Sequence, residues 1–280
     1  MLSKEELKLF KISEQESILL FYMGRSPLGI LLYPVYAFLV GDVLIDTGTN
    51  RAGHEFLESL KDRKITGIIN THHHEDHIGN NADVQQHFGI NIYAHPLTLP
   101  YLENPRLNDL HLYQRIVWDW PRPSKGEAVG ASVKAGPYHL EVIHSPGHAE
   151  DHICLYEPDK KWLFTGDLFC GTNFVYLRQD ENYLQILDTL KKLSALNIET
   201  IFCNLKGVVK DGKIALAKKI STMERLRDDV FKLRDQGLSP YRIRQKVLGR
   251  EDARHFFTRG HYSKQNTVDS ILSGKRPANR

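Results

Sequence analysis

Apolar positions in this chain cluster in short runs before they settle into helical stripes near its end. Ser17–Tyr22, Val35–Val40 and Asp42–Asp46 are brief and rich in β-branched and aromatic residues, with a turn at Gly41, so they read as strands. The loop TGTNRAG then leads into an amphipathic helix over His54–Lys61, followed by a strand over Ile65–Asn70. Val84–Phe88 suits a helix end and Asn91–Ala94 another strand. Residues 96–127 are rich in Pro, Asn, Trp and Tyr and show no period, so an irregular excursion able to roof a site is expected there. Strands resume at Tyr138–His144, His152–Tyr156, Lys161–Thr165 and Glu199–Cys203. Leu184, Leu187, Leu190 and Leu193 recur at helical spacing within Asn182–Leu196.

From Ile214 onward the pattern is helical almost throughout. The turn GLSP separates two helices, with Ser239 placed as an N-cap and Pro240 at the first helical position. Two units are therefore expected: a strand-and-helix core over 1–213 and a small helical unit over 214–280. Short strands alternating with single helices imply sheets stacked and covered by helices, an α/β architecture.

Composition changes this picture little. The chain is 41% hydrophobic and 25% charged, as ordinary globular proteins are. The longest apolar run, Ile30 to Val40, is about half a membrane span and carries Pro34, so it reads as a buried strand rather than a membrane anchor. The opening MLSKEELKLF has no apolar core with a small-residue cleavage site, which makes a cytoplasmic protein the expectation. Cys154, Cys170 and Cys203 form no CxxC and read as buried free thiols rather than a disulfide framework.

Charge is more informative. Residues 206–280 hold 19 Lys and Arg against 8 Asp and Glu, a balance of +11, which leaves residues 1–205 at −8. A basic tail on an acidic core suits a polyanionic or phosphate-containing partner, RNA among them, and also fits a solvated helical surface.

The densest chemistry is Thr71-His72-His73-His74-Glu75-Asp76-His77, four histidines and two carboxylates directly after a strand. A hydrophobic core cannot satisfy so many polar groups. Neutral imidazole and carboxylate are ligands that suit zinc, and also iron or manganese. The spacing lets His72 and His74 face one metal, while Asp76 and His77, further round the turn, can face another. Ser145-Pro146-Gly147-His148, Gly166-Asp167 and Leu44-Ile45-Asp46-Thr47-Gly48 each set a His or Asp just past another short apolar strand.

The succession LIDTG, THHHEDH, SPGHAEDH, FTGD resembles the metallo-β-lactamase superfamily over about residues 35–210. The resemblance implies an αββα sandwich with its metals at one edge. By position, His72, His74 and His148 correspond to ligands of a first metal. Asp76 and His77 correspond to ligands of a second, and Asp167 to the carboxylate shared between them. Asp46 corresponds to a supporting acid that orients ligands. His152 occupies a place that is often polar in the family and is expected to support ligands too. His73 is expected to face away. The implied chemistry is hydrolysis of an ester, thioester or phosphodiester, with one or two Zn2+ activating water and Asp76 orienting it or shuttling its proton.

One motif departs from the pattern. Where family members present a further histidine after the last core strand, this chain reads Asn204-Leu205-Lys206-Gly207, which aligns Lys206 with that ligand. An ammonium cannot ligate a cation. Lys206 is therefore expected either to replace the second cation's charge toward an anionic substrate, or to leave that site weak or point outward. The tail GLSPYRIRQKVLG is loosely similar to β-lactamase-like endoribonucleases with a winged-helix-like C-terminal unit, and its basic balance also fits the glyoxalase II type. Two other readings remain open: a mononuclear iron persulfide dioxygenase built on His72, His148 and Asp167, and a catalytically weakened nucleic-acid-binding relative. Fold alone does not choose among them.

Overall fold

The computed structural model describes residues 10–25 and 32–274. The chain's first nine residues, the start of the apolar run at Ile30 and the last six residues of the basic tail lie outside the described residues.

The first sheet holds β1 (Phe10–Gln15), β2 (Ile18–Arg25), β3 (Leu32–Val40), β4 (Val43–Ile45), β5 (Gly67–Ile69), β6 (Asn91–Ala94) and β7 (Gly126–Ala128), in that spatial order. The pairs β1–β2, β2–β3 and β3–β4 are antiparallel, and from β4 onward the strands run parallel. Parallel neighbours need crossovers, which here are α1 (Gly53–Leu60) between β4 and β5 and α2 (Asn81–Phe88) between β5 and β6. Next along the chain come α3 (Leu99–Glu103) and α4 (Leu112–Val117). The second sheet contains β8 (Ser132–Ala135), β9 (Tyr138–His144), β10 (Ile153–Glu157) and β11 (Trp162–Phe164). A two-residue strand, β12 (Leu177–Arg178), and α5 (Tyr183–Leu193) precede β13 (Thr200–Cys203) and β14 (Gly207–Val209), which complete that sheet in the order β14-β13-β11-β10-β9-β8. The chain ends with α6 (Gly212–Asp235), α7 (Pro240–Val247), α8 (Ala253–Phe257), β15 (Tyr262–Ser263) and α9 (Lys264–Ser273).

Alternation along the strands builds the layers. Phe38, Val43, Ile45 and Ile69 of the first sheet meet Leu155, Phe164 and Phe202 of the second in one central core. The residues between them point the other way: Leu39, Leu44 and Ile68 pack under Phe56 and Leu60 of α1 and Val84 of α2. On the second sheet, Cys154, Leu163, Ile201 and Cys203 pack outward against Leu187 of α5, Leu216 and Met223 of α6, and Ile271 of α9. A strand buried on both faces reads as a continuous apolar run, which is why these strands stood out in the sequence. The result is the expected αββα sandwich.

Several elements differ from the sequence reading. The stretch 96–127 is largely ordered into α3, α4 and single 3-10 turns; helices of five and six residues are too short to establish a period. Strand β1 went unseen because only Phe10 and Lys11 are half-buried and its other four residues are exposed. Strands β8, β12, β14 and β15 are two to four residues long, below the length at which alternation can be read. Ser239 does cap α7, its hydroxyl accepting from the Arg242 N–H at 3.5 Å, with Pro240 following it. Among the described residues no helix is long and apolar enough to cross a membrane.

Candidate metal centre

Five strand ends open onto one edge of the sandwich. Chain leaving β4 delivers Asp46, β5 delivers Thr71 to His77, β9 delivers His148, β11 delivers Asp167 and β13 delivers Asn204. Two glycines make the turns possible. Gly147 has φ +132°, and a Cβ there would sit 2.6 Å from the Ile186 backbone nitrogen. Gly166 has φ +48°, and its Cβ would meet His152 Nε2 at 2.5 Å. Only a residue without a side chain lets SPGH and TGD fold this tightly against their neighbours.

His72 Nε2 lies 2.7 Å from His74 Nδ1, and His148 Nε2 lies 3.0 Å from the same His74 atom. Three imidazole nitrogens aimed at one point, all buried, form one candidate ligand set; His72, His77 and Asp167 form a second. His77 Nε2 is 3.5 Å from Asp167 Oδ1, while Asp167 Oδ2 is 3.7 Å from His148 Nε2, so the two oxygens of Asp167 face the two halves of the cluster. Asp76 Oδ1 stands 4.0 Å from His77 Nε2. His77 Nε2 and Asp167 Oδ1 are buried without a hydrogen-bond partner. Polar atoms left so are costly unless something else occupies the space between them. Histidine nitrogen and carboxylate oxygen are a donor set for a borderline divalent cation, so the residues present fit a metal.

Asp46 underlies the cluster. Its carboxylate accepts from Thr71 N–H at 2.8 Å, Thr71 Oγ1 at 2.7 Å, Asn204 Nδ2 at 3.0 Å and His77 Nδ1 at 2.7 Å. The last contact leaves Nε2 of His77 as the atom facing the cluster. His152 is tied through Nδ1 to Ser145 Oγ at 2.7 Å and through Nε2 to the Asp167 N–H at 3.3 Å, and thus braces the Asp167 turn. His73 turns away, meeting Asp151 at 2.9 Å and stacking on Tyr101.

The electrostatics divide the histidines. Burial, reinforced by neighbouring cations, holds His72 and His74 well below the ordinary imidazole value and brings His152 down to about 3. Burial opposes charge on His77 as well, yet Asp46, Asp167 and Asp76 outweigh it and hold that ring well above its usual value. His148 is likewise held up by Glu181 against burial. Burial lifts Asp76 to about 7 despite the pull of His77. For Asp167 burial acts upward, but the neighbouring charge of His77 prevails and keeps the carboxyl below the usual range.

Lys206 does not join the cluster's ligand sets. It lines the cavity beside them, its methylenes against Gly171. From the strand end that carries it, Asn204 reaches the centre instead, by bracing Asp46. The cavity has a volume of about 450 Å³, and Asp76, His148 and Asp167 are among the residues that line it. Its walls include Tyr113, Phe174 and Tyr176 together with Arg178, Lys219 and Arg254. Cys170 also lines it, whereas Cys203 is fully buried, and all three cysteines are free thiols.

Sequence reasoning missed Glu181, whose carboxylate makes a close contact with His148 Nδ1. Nothing local marks it, since it sits in a polar loop, RQDEN, with no strand in front of it long enough to recognise. Arg178 lies against the His74 ring, with Nη2 3.1 Å from Nε2, and is held by Asp180 at 2.9 Å.

Residues 31–204 match the family model described as the metallo-beta-lactamase superfamily. A hydroxyacylglutathione hydrolase of Photobacterium profundum is 30% identical over 203 residues, covering 69% of this chain and 70% of that one. An uncharacterized protein of Aquifex aeolicus is 31% identical over 126 residues, 45% of this chain and 58% of its own. In fold, the chain is similar to a metallo-beta-lactamase family protein from Thermus thermophilus, with TM-score 0.64 and 18% identity over 91% of this chain and 93% of that one. Taken with a sandwich whose strand ends gather a His and Asp cluster able to bind a divalent metal, these matches show that the chain belongs to the metallo-beta-lactamase superfamily of metallo-hydrolases.

Proposed function

We propose that this protein hydrolyses a small anionic ester, thioester or phosphodiester at a zinc centre that His72, His74 and His148 would hold, with Asp167, Asp76 and His77 completing the site. The observation that supports this most directly is the pair of buried, unpartnered atoms, His77 Nε2 and Asp167 Oδ1, beside three converging imidazole nitrogens. A metal bound there supplies a Lewis acid that activates water and polarises the carbonyl or phosphoryl oxygen. The chain's own residues do the rest. Asp46 fixes the His77 ring through Nδ1, and His152 fixes the Asp167 turn. Asp76 lines the cavity, where it can orient the attacking water and take its proton. Lys206 and Arg178 line the same cavity and suit the anionic part of a substrate, while Tyr113 and Phe174 suit its apolar part. Hydrolysis of a small-molecule thioester is the reading favoured by the hydroxyacylglutathione hydrolase relatives.

The test is metal content per chain, for wild type and Lys206→His, purified without added metal, followed by turnover of thioester, lactone and phosphodiester panels. One zinc rising to two in the variant supports Lys206 as the stand-in for a ligand. Two zincs already in the wild type leave Lys206 as a substrate-facing cation only. One iron per chain overturns the hydrolytic reading in favour of oxygenase chemistry.

A further inference from the structure

Behind the candidate ligands lies a polar turn whose place is set by the far end of the chain. Strand β12 pairs antiparallel with β15, Leu177 opposite Ser263 and Arg178 opposite Tyr262. The pairing is reinforced by the Gln179 N–H donating to the His261 carbonyl at 3.1 Å. Asn266, on α9, spans the junction: its Nδ2 donates to the carbonyls of Leu177 at 3.2 Å, Gly260 at 3.1 Å and His261 at 2.9 Å. The turn is closed from within, since Glu181 Oε2 accepts from the Arg178 N–H at 2.7 Å. That leaves Glu181 Oε1, on a side chain only 7% exposed, against Nδ1 of His148, which is 6% exposed.

We propose that Glu181 is the positioning residue of the metal centre, holding the His148 ring so that Nε2 faces the metal, and that docking of β15 and α9 onto β12 delivers it. The reasoning is geometric. A carboxylate accepting from Nδ1–H fixes both the tautomer and the rotation of an imidazole, and makes its other nitrogen a better donor. Asp46 does the same for His77 from the sheet itself. His148 has no such acid on its own strand and borrows one from a loop more than thirty residues on. Leu177 is buried in the core and the Asn182 N–H donates to the Gly147 carbonyl at 2.8 Å, and the pairing of β12 with β15 adds a further tether to the turn, so the last elements of the chain act on the metal site through it. This inference rests on the metal-centre reading above.

The experiment measures zinc affinity of the full chain by competition with a chromogenic chelator, for wild type, Glu181→Ala and Asn266→Ala. Glu181→Ala is expected to weaken binding by about ten- to hundredfold, the usual cost of losing an acid behind a ligating histidine. Asn266→Ala is expected to weaken it in the same direction by a smaller factor. Affinity in folded Glu181→Ala equal to wild type overturns the role of Glu181; unchanged affinity in Asn266→Ala overturns its dependence on the C-terminal elements. Where Glu181→Ala does not fold, long-range 15N–1H spectra of the zinc-loaded wild type decide: a proton retained on His148 Nδ1 supports the proposal, and a proton on Nε2 overturns it. A wild type that binds no zinc, iron or manganese overturns this proposal and the metal-centre reading together. Tight binding in the wild type with an unaffected Glu181→Ala removes this proposal alone.

Discussion

Replacing Asp46 by Asn tests how the cluster is held, because it changes one atom of a fully buried side chain. The position has φ +58°, a left-handed conformation that Asn tolerates about as well as Asp, so the backbone is not perturbed. Three donors converge on Oδ2, from Thr71 Oγ1, His77 Nδ1 and Asn204 Nδ2, and the Thr71 N–H donates to Oδ1. An amide has one oxygen. Placed at Oδ2 it keeps three contacts, but its NH2 then confronts the Thr71 N–H, donor against donor. A buried donor left unsatisfied costs roughly 1–3 kcal/mol, and the loss of charge from a hydrogen bond to His77 adds about 1 kcal/mol. In a chain of this size each kcal/mol lowers Tm by roughly 2–4 °C. Metal-free Asp46→Asn protein should therefore melt about 5–15 °C below wild type by circular dichroism in chelator. Its zinc affinity should also fall, because a neutral amide oxygen behind Nδ1 leaves His77 Nε2 a weaker donor than a carboxylate does. A melting temperature within about 2 °C of wild type would refute the assignment of Asp46 as the buried brace.

Metal affinity should depend steeply on pH. Neighbouring carboxylates hold His77 and His148 above the ordinary imidazole value, so each must release a proton for a cation to enter. Affinity is then expected to fall by about one to two decades per unit as pH drops from 8 to 6; a flat chelator-competition profile contradicts this. Gly147→Ala forces a Cβ into the Ile186 backbone at a φ that alanine avoids, so it should displace His148 and lower zinc occupancy, read by metal analysis of the folded variant. Phe202 lies in the central core, stacked on Phe164 with ring centroids 4.7 Å apart. Phe202→Ala should cost about 3–5 kcal/mol in denaturant unfolding. A cost below about 1 kcal/mol would mean that the two sheets do not depend on this contact.

The layered sandwich was legible because its strands are buried on both faces. Such strands appear as dense apolar runs, and the helices between them show their own period, so stacked sheets covered by helices follow from local pattern, while the αββα order is what the resemblance of LIDTG, THHHEDH, SPGHAEDH and FTGD to the metallo-β-lactamase superfamily implies. Most of the centre was legible for a related reason. His72, His74, Asp76, His77, His148 and Asp167 each follow an apolar strand closely, and too many polar groups gather there for a core to absorb. What stayed hidden was every contact set by pairing at a distance. Glu181 meets His148 from a turn thirty-three positions on, one that follows β12, which is two residues long and pairs with β15 some eighty positions later. Asn204 rather than Lys206 reaches Asp46 because of where β13 ends and which way the chain then turns into β14. The orientation of each imidazole is likewise absent from the sequence, since the tautomer is chosen by whichever partner the fold sets behind the ring. Residue identity and spacing record which groups can bind a metal. Which atom of each group faces it is decided by hydrogen bonds between segments that only the folded chain brings together, where a shift of one strand position would redirect them.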